Sequence, residues 1–232
     1  MEQNPKRLLE LFPGTGSVGK PWRAAGHDVV SVDIDNKYQP EVCEDILTWN
    51  YQSQCCFDTV WASVPCEQYS ICRTRAKTPR NYKLADSLVA KTIEIIKYFQ
   101  NLNPELAWFV ENPDSSQLWS RAVAWDLYPR VRLDYCCYNE PGYRKKTKIA
   151  TNIQWTPRAL CIPHSCPSCV NGIHKMSAQR GYGKGKDKIL DNCSLDLLHH
   201  IPRDLCVENL GNLCRLIFLK EMMTTIFNVV LH

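Results

Sequence analysis

The stretch Arg7-Leu8-Leu9-Glu10-Leu11-Phe12-Pro13-Gly14-Thr15-Gly16-Ser17-Val18-Gly19-Lys20 decides the architecture. Arg7 to Phe12 reads as a short buried strand, Pro13 to Gly16 as a tight turn, and the residues from Ser17 toward Ala25 as a helix. A strand that enters a helix through a glycine turn opens a βαβ unit, in which glycine lets the backbone approach a ligand. The next apolar run, Asp28 to Asp33, ends in an acid. Two chemistries fit this opening. Gly14 to Lys20 matches the spacing of a phosphate-cradling loop, but Pro21 stands where that loop needs a hydroxyl to hold magnesium. The other reading is a nucleoside site, with Phe12, Gly14 and Gly16 around the ligand and Asp33 accepting from two ribose hydroxyls. That geometry requires no phosphate, so S-adenosylmethionine satisfies it. Phe12 would stack near the adenine and Asp45 would accept from its exocyclic amine.

Farther along, Phe57 to Ala62 and Leu106 to Val110 read as strands, and Leu84 to Phe99 carries apolar residues at helical spacing (Leu84, Leu88, Ile95, Ile96, Phe99). After Pro129 come two strand-like runs, Val131 to Tyr138 and Lys146 to Asn152, joined by Asn139-Glu140-Pro141-Gly142. The expectation is an α/β, Rossmann-like fold, its mostly parallel sheet closed by a C-terminal antiparallel hairpin. Residues 1–155 would form the main domain, 156–193 a small irregular module rich in Pro, Gly, Ser and Cys, and 194–232 a helix starting after Pro202 and returning to the main domain.

At 232 residues the chain can bury one sizeable core. Its net charge of +4 is weak testimony for a polyanion, and the distribution says more. The positives gather in Arg73, Arg75, Lys77, Arg80 and Lys83, in Arg144, Lys145, Lys146 and Lys148, and in Lys184, Lys186 and Lys188. Thirteen cysteines without an apolar leader point to a reducing, intracellular compartment rather than a secreted disulfide scaffold. The apolar run Leu213 to Leu231 is broken by Arg215, Lys220 and Glu221, so it reads as amphipathic and no membrane is expected as a partner. The tail Ile226 to Leu231 would pack on the sheet or pair two subunits.

Cys66 follows the third strand in Val64-Pro65-Cys66, and Glu111-Asn112-Pro113 ends the next one. A thiol and a carboxyl at the carboxyl ends of neighbouring strands could add sulfur to an electron-poor ring while holding one of its nitrogens. Taken in order, Phe12-x-Gly14-x-Gly16, Pro65-Cys66-Glu67-Gln68-Tyr69-Ser70, Glu111-Asn112 and Tyr143-Arg144-Lys145-Lys146-Thr147 resemble the motifs of the cytosine-C5 DNA methyltransferase family, in particular the compact forms of large DNA viruses and phages. The resemblance spans Arg7 to Asn152. It implies a methyltransferase with S-adenosylmethionine bound by Phe12, Gly14, Gly16, Asp33, Asp45 and Pro65, and catalysis by Cys66 and Glu111 with Arg144 holding a phosphate or supporting the glutamate. Duplex DNA would be the substrate, its target cytosine flipped out of the stack, with transfer RNA as the alternative polymer. For a viral chain the compartment would be the host nucleus or cytoplasm. Tyr143 stands where the family customarily has glutamine, and Thr147 where it has arginine.

Cys161-x2-His164-x-Cys166-x2-Cys169-x4-His174 packs soft ligands into the small module. The spacing suits structural zinc held by Cys166, Cys169 and His174, with Cys161 or His164 fourth and Cys161 preferred. The module falls where relatives carry their target-recognition region and is short, so a short recognition site such as a dinucleotide is expected.

Overall fold

The structure, a computed structural model, describes residues 4–74, 76–138, 143–174, 176–177, 191–192 and 200–208. Its centre is a seven-stranded sheet with the order β3-β2-β1-β4-β5-β7-β6. The strands are β1 (Arg7–Leu11), β2 (Asp28–Asp33), β3 (Val42–Cys43), β4 (Thr59–Ser63), β5 (Ala107–Pro113), β6 (Arg130–Asp134) and β7 (Lys146–Thr151). The pairs from β3 to β5 are parallel, while β7 runs antiparallel to both β5 and β6. This is the expected Rossmann-like architecture, mostly parallel and closed by an antiparallel hairpin. The hairpin turn, residues 139–142, lies outside the described residues.

Both sheet faces are buried, and the two-residue period of a strand sorts the side chains. Leu9, Leu11, Val60, Ala62, Trp108 and Val110 enter one core, which helix α2 (Tyr82–Leu102) covers. Leu8, Trp61 and Phe109 enter the other, with Trp22 of α1 (Gly19–Ala24) and with Ile201, Leu205 and Cys206. The described part of the last helix, 203–208, thus packs on the main domain, and Ile201 N–H donates to Ser17 Oγ at 3.0 Å. The tail beyond residue 208 lies outside the described residues.

Helix α2 starts two residues before the expected Leu84, because the Asn81 side chain accepts from Leu84 N–H at 3.0 Å and caps it. Its buried stripe is Ala85, Val89, Thr92, Ile95, Ile96 and Phe99, whereas Leu84 is 48% exposed. Small residues face the sheet at the helix start, so leucine there is not a guide to the buried side. Sequence periodicity did not reveal β3, whose two residues are too few to show alternation.

Two consequences position the site. Every parallel strand ends on one edge of the sheet, and the order reverses between β1 and β4, opening a crevice there. β7 begins on that same edge, so the residues just before Lys146 return to it.

Candidate active site

The glycine turn after β1 is built on left-handed backbone: Phe12, Gly14 and Gly16 have φ of 57°, 49° and 66°. A side chain at Gly14 would meet nothing within 4 Å, so the turn faces open space, and Gly14 N–H points to Asp33 Oδ2 at 3.4 Å. Asp33 Oδ1 accepts from Asp35 N–H at 3.0 Å, and Asp45 Oδ1 from Leu47 N–H at 2.9 Å, so two carboxylates are fixed at the ends of β2 and β3. Half-buried Pro65 lies across the crevice after β4, and Ile34, 69% exposed, offers an apolar face beside Asp33. Open backbone, carboxylates at two strand ends and adjoining apolar surface are the chemistry that a nucleoside with an amino-acid tail needs.

The phosphate reading fails on one residue. Glu10 is buried under the turn and accepts from the N–H groups of Val18 and Gly19 at 3.3 and 3.0 Å. A carboxylate already occupies the donors that would cradle a phosphate. Burial pushes the Glu10 carboxyl up to about 7 against the pull of those two N–H groups and of Arg23.

Glu111 on β5 sits opposite Ser63 of β4 and Ile149 of β7 and is 5% exposed. Tyr135 Oη donates to its Oε1 at 3.1 Å, and Lys145 Nζ lies 3.4 Å from the same oxygen. The neighbouring Asn112 reaches across to β4, donating through Nδ2 to the Val64 carbonyl at 2.7 Å, two residues before Cys66. Cys66 is half-buried in the loop that follows. Burial, then the negative charges of Glu67 and Glu111, push its thiol up to about 11, and Lys145 pulls the other way. Thiol, carboxylate and ammonium therefore share one electrostatic neighbourhood.

The loop carrying Cys66 is tied down on its far side. Arg80 donates to the carbonyls of Gln68 and Ser70 at 2.6 and 2.8 Å, and buried Tyr69 donates to Asp86 at 2.8 Å, which Arg121 also holds. Sequence reasoning missed Asp86 and Arg121, and it read Arg80 only as part of a basic cluster. Several other basic residues are engaged internally: Arg73 donates to Thr78, and Lys148 pairs with Asp114. Arg75, Lys184, Lys186 and Lys188 lie outside the described residues.

Arg144 does not reach the glutamate. It is exposed, and its backbone bridges to the Met176 carbonyl at 3.4 Å, so Lys145, the next residue along, takes the supporting position. Tyr143 is buried, packs edge-on to Tyr135 at 5.9 Å and donates to the His200 carbonyl at 2.8 Å. It is a buried link between the site and the returning segment.

Where the small module meets the end of β6, Cys136, Cys161, Cys166 and His174 bring one ligand atom each within 4.8 Å of one another. Cys169, expected among the ligands, is outside that group. Its place is taken by Cys136, just past β6, a residue no spacing rule links to the others. His164 is exposed and also outside it.

No family model matches the chain. Over 178 residues it is 33% identical to a probable DNA (cytosine-5)-methyltransferase of Frog virus 3 (isolate Goorha), a match covering 70% of this chain and 78% of that protein. Among solved structures, the S. pombe Dnmt2 methyltransferase aligns at 16% identity and TM-score 0.43, over 66% of this chain and 52% of that one. An S-adenosylmethionine-dependent methyltransferase of Archaeoglobus fulgidus aligns at 16% identity and TM-score 0.29, over 47% and 46%. The chain thus spans about half the length of these two structures. The identity to the viral protein, over most of both chains, shows that this chain belongs to the cytosine-5 methyltransferase family.

Proposed function

We propose that the protein methylates carbon 5 of cytosine in duplex DNA, with Cys66 as the nucleophile. The observation that carries this reading is the shared neighbourhood of Cys66 and Glu111 at the ends of adjacent strands, with Lys145 and Tyr135 on the carboxylate. The substrate follows the name of the viral relative. Phe12, Gly14, Gly16, Asp33, Asp45 and Pro65 would hold S-adenosylmethionine, whose sulfonium supplies an electrophilic methyl group.

Carbon 5 of cytosine is a weak nucleophile. Cys66 gives up its proton, which passes through solvent to the pair formed by Glu111 and N3, the thiolate adds to carbon 6, and the displaced ring electrons make carbon 5 electron-rich. Charge gathers at N3 in that step, and Glu111, sharing a proton with N3, stabilises it. Tyr135 and Lys145 both hold Oε1, so Oε2 would be the oxygen that meets the base. Once the methyl is on carbon 5, loss of that carbon's proton to a solvent water returns an electron pair to the ring and expels Cys66 as thiolate. The target atom is stacked inside a duplex, so the base must enter the pocket flipped.

Transfer of radiolabelled methyl to duplex DNA and to transfer RNA, side by side, tests this reading. Label at carbon 5 of cytosine in DNA, absent with Cys66→Ala, is the expected result. Label on transfer RNA alone would move the substrate to the other polymer. No label on either, with the cofactor bound, would leave a DNA-binding scaffold.

A further inference from the structure

Residues 156–174, the continuously described part of the small module, pack inside out. Among residues 156–174 the only buried side chains are Cys166 and His174, while Leu160, Ile162, Val170 and Ile173 are 49%, 67%, 39% and 54% exposed. Apolar burial therefore cannot hold this segment together. Its strands β8 (Cys169–Val170) and β9 (Ile173–His174) have two residues each, joined through Asn171 and Gly172 at φ of 51° and 77°. A hairpin this short is unstable alone in water.

What lies inside instead is a set of soft donors. His174 Nε2 is 3.2 Å from Cys136 Sγ and 3.3 Å from Cys161 Sγ, and Cys166 completes the group. Tetrahedral zinc with its usual bond lengths implies edges of about 3.6 Å between nitrogen and sulfur and about 3.8 Å between sulfurs. The two nitrogen–sulfur separations fall a few tenths of an ångström short of the nitrogen–sulfur edge, and no two ligand atoms of the group lie more than 4.8 Å apart. The chain around the group is also fixed: Cys169 N–H donates to the Cys166 carbonyl at 3.0 Å, and Cys161 N–H to Asp134 Oδ2 at 2.9 Å. The latter bond anchors one candidate ligand to β6, the strand that leads into another, Cys136.

We infer that Cys136, Cys161, Cys166 and His174 form a structural zinc centre that fastens the module to the end of β6, one residue from the tyrosine that holds Glu111. Each cysteine enters as thiolate, releasing its proton to solvent as the metal binds, and the neutral imidazole donates through Nε2. The metal replaces the apolar core that the segment lacks. Three of the ligands come from within 14 residues of sequence, and the fourth, Cys136, makes the centre a fastener between module and sheet rather than a knuckle within the module.

Metal content of the full-length protein tests this, measured after expression with zinc and gel filtration, for wild type, Cys136→Ser and Cys169→Ser. The expected result is about one zinc per chain in wild type and in Cys169→Ser, and under about a tenth of that in Cys136→Ser. Wild type without zinc, or a disulfide among these cysteines in its peptide map, overturns the proposal. So does retention in Cys136→Ser with loss in Cys169→Ser, which would restore the ligand set read from spacing. Cobalt-substituted wild type keeps the question decidable if Cys136→Ser fails to fold: absorption from three thiolates supports the centre, and absorption from two or four contradicts it. None of these readouts depends on the protein's activity.

Discussion

Cys66 is a poor nucleophile as it stands. With its thiol pushed up to about 11, first by burial and then by Glu67 and Glu111, the thiolate is scarce at neutral pH. Removing the charge of Glu111 lowers the thiol and enlarges that fraction, although the proposed reaction needs the same carboxyl at N3. Glu111→Gln should therefore speed alkylation of Cys66 by iodoacetamide roughly 3- to 10-fold near pH ~8 while abolishing methyl transfer. In wild type the alkylation rate should climb about tenfold per pH unit between pH ~7 and ~9, since only the thiolate reacts. Peptide mass analysis must follow Cys66 alone, because Cys43, Cys55, Cys56 and Cys72 are exposed. An unchanged or slower rate in Glu111→Gln would show that the carboxylate does not act on the thiol. That Cys66 and Glu111 would come together was legible in the sequence because each lies at the end of an apolar strand within an ordered set of motifs. Lys145 was not chosen over Arg144, because neighbours in extended chain project to opposite sides and no register was visible to tell which side meets β5.

At the scale of elements, Glu10 joins β1 to α1 by accepting from the first N–H groups around the helix start. Its carboxyl is raised from 4.5 to about 7, chiefly by burial. The folded state therefore holds a proton that the unfolded chain releases near 4.5, and the sign follows. The stability tied to that proton is fully present below the unfolded value and is lost as pH rises through about 7. The span amounts to at most about 3 kcal/mol. Urea unfolding of wild type and Glu10→Gln should show wild type losing stability relative to the variant between pH ~5 and ~8. A constant difference across that window would mean that Glu10 does not titrate within it. The strand, glycine turn and helix were plain in the sequence from apolar runs and glycine placement. That Glu10, a charged residue in an apolar strand, fills the donor site of the turn was not, because its parity with Leu8 directs it to the α1 face only once the sheet exists.

At the scale of the molecule, the sheet order collects at one edge what the chain scatters over more than 130 residues, from Phe12 to Lys145. Alternating strands and helices announced that edge, so the placement of the glycine turn and of Cys66 along it was readable before any coordinates. The cysteine cluster was only half readable: Cys161, Cys166 and His174 lie close in sequence, whereas Cys136 arrives through the fold of β6. No helix of the described residues is long and apolar enough to cross a membrane. The account's central claim is that Cys66 bonds to carbon 6 of a cytosine whose N3 Glu111 holds. Covalent capture tests it most directly: duplex DNA carrying 5-fluorocytosine at the methylated site is incubated with protein and S-adenosylmethionine, because fluorine at carbon 5 blocks the elimination that frees the enzyme. A denaturation-resistant adduct that maps to the Cys66 peptide and vanishes in Cys66→Ala is the predicted result. Methyl transfer to ordinary DNA with no adduct on the fluorinated site, or an adduct at another cysteine, would contradict it.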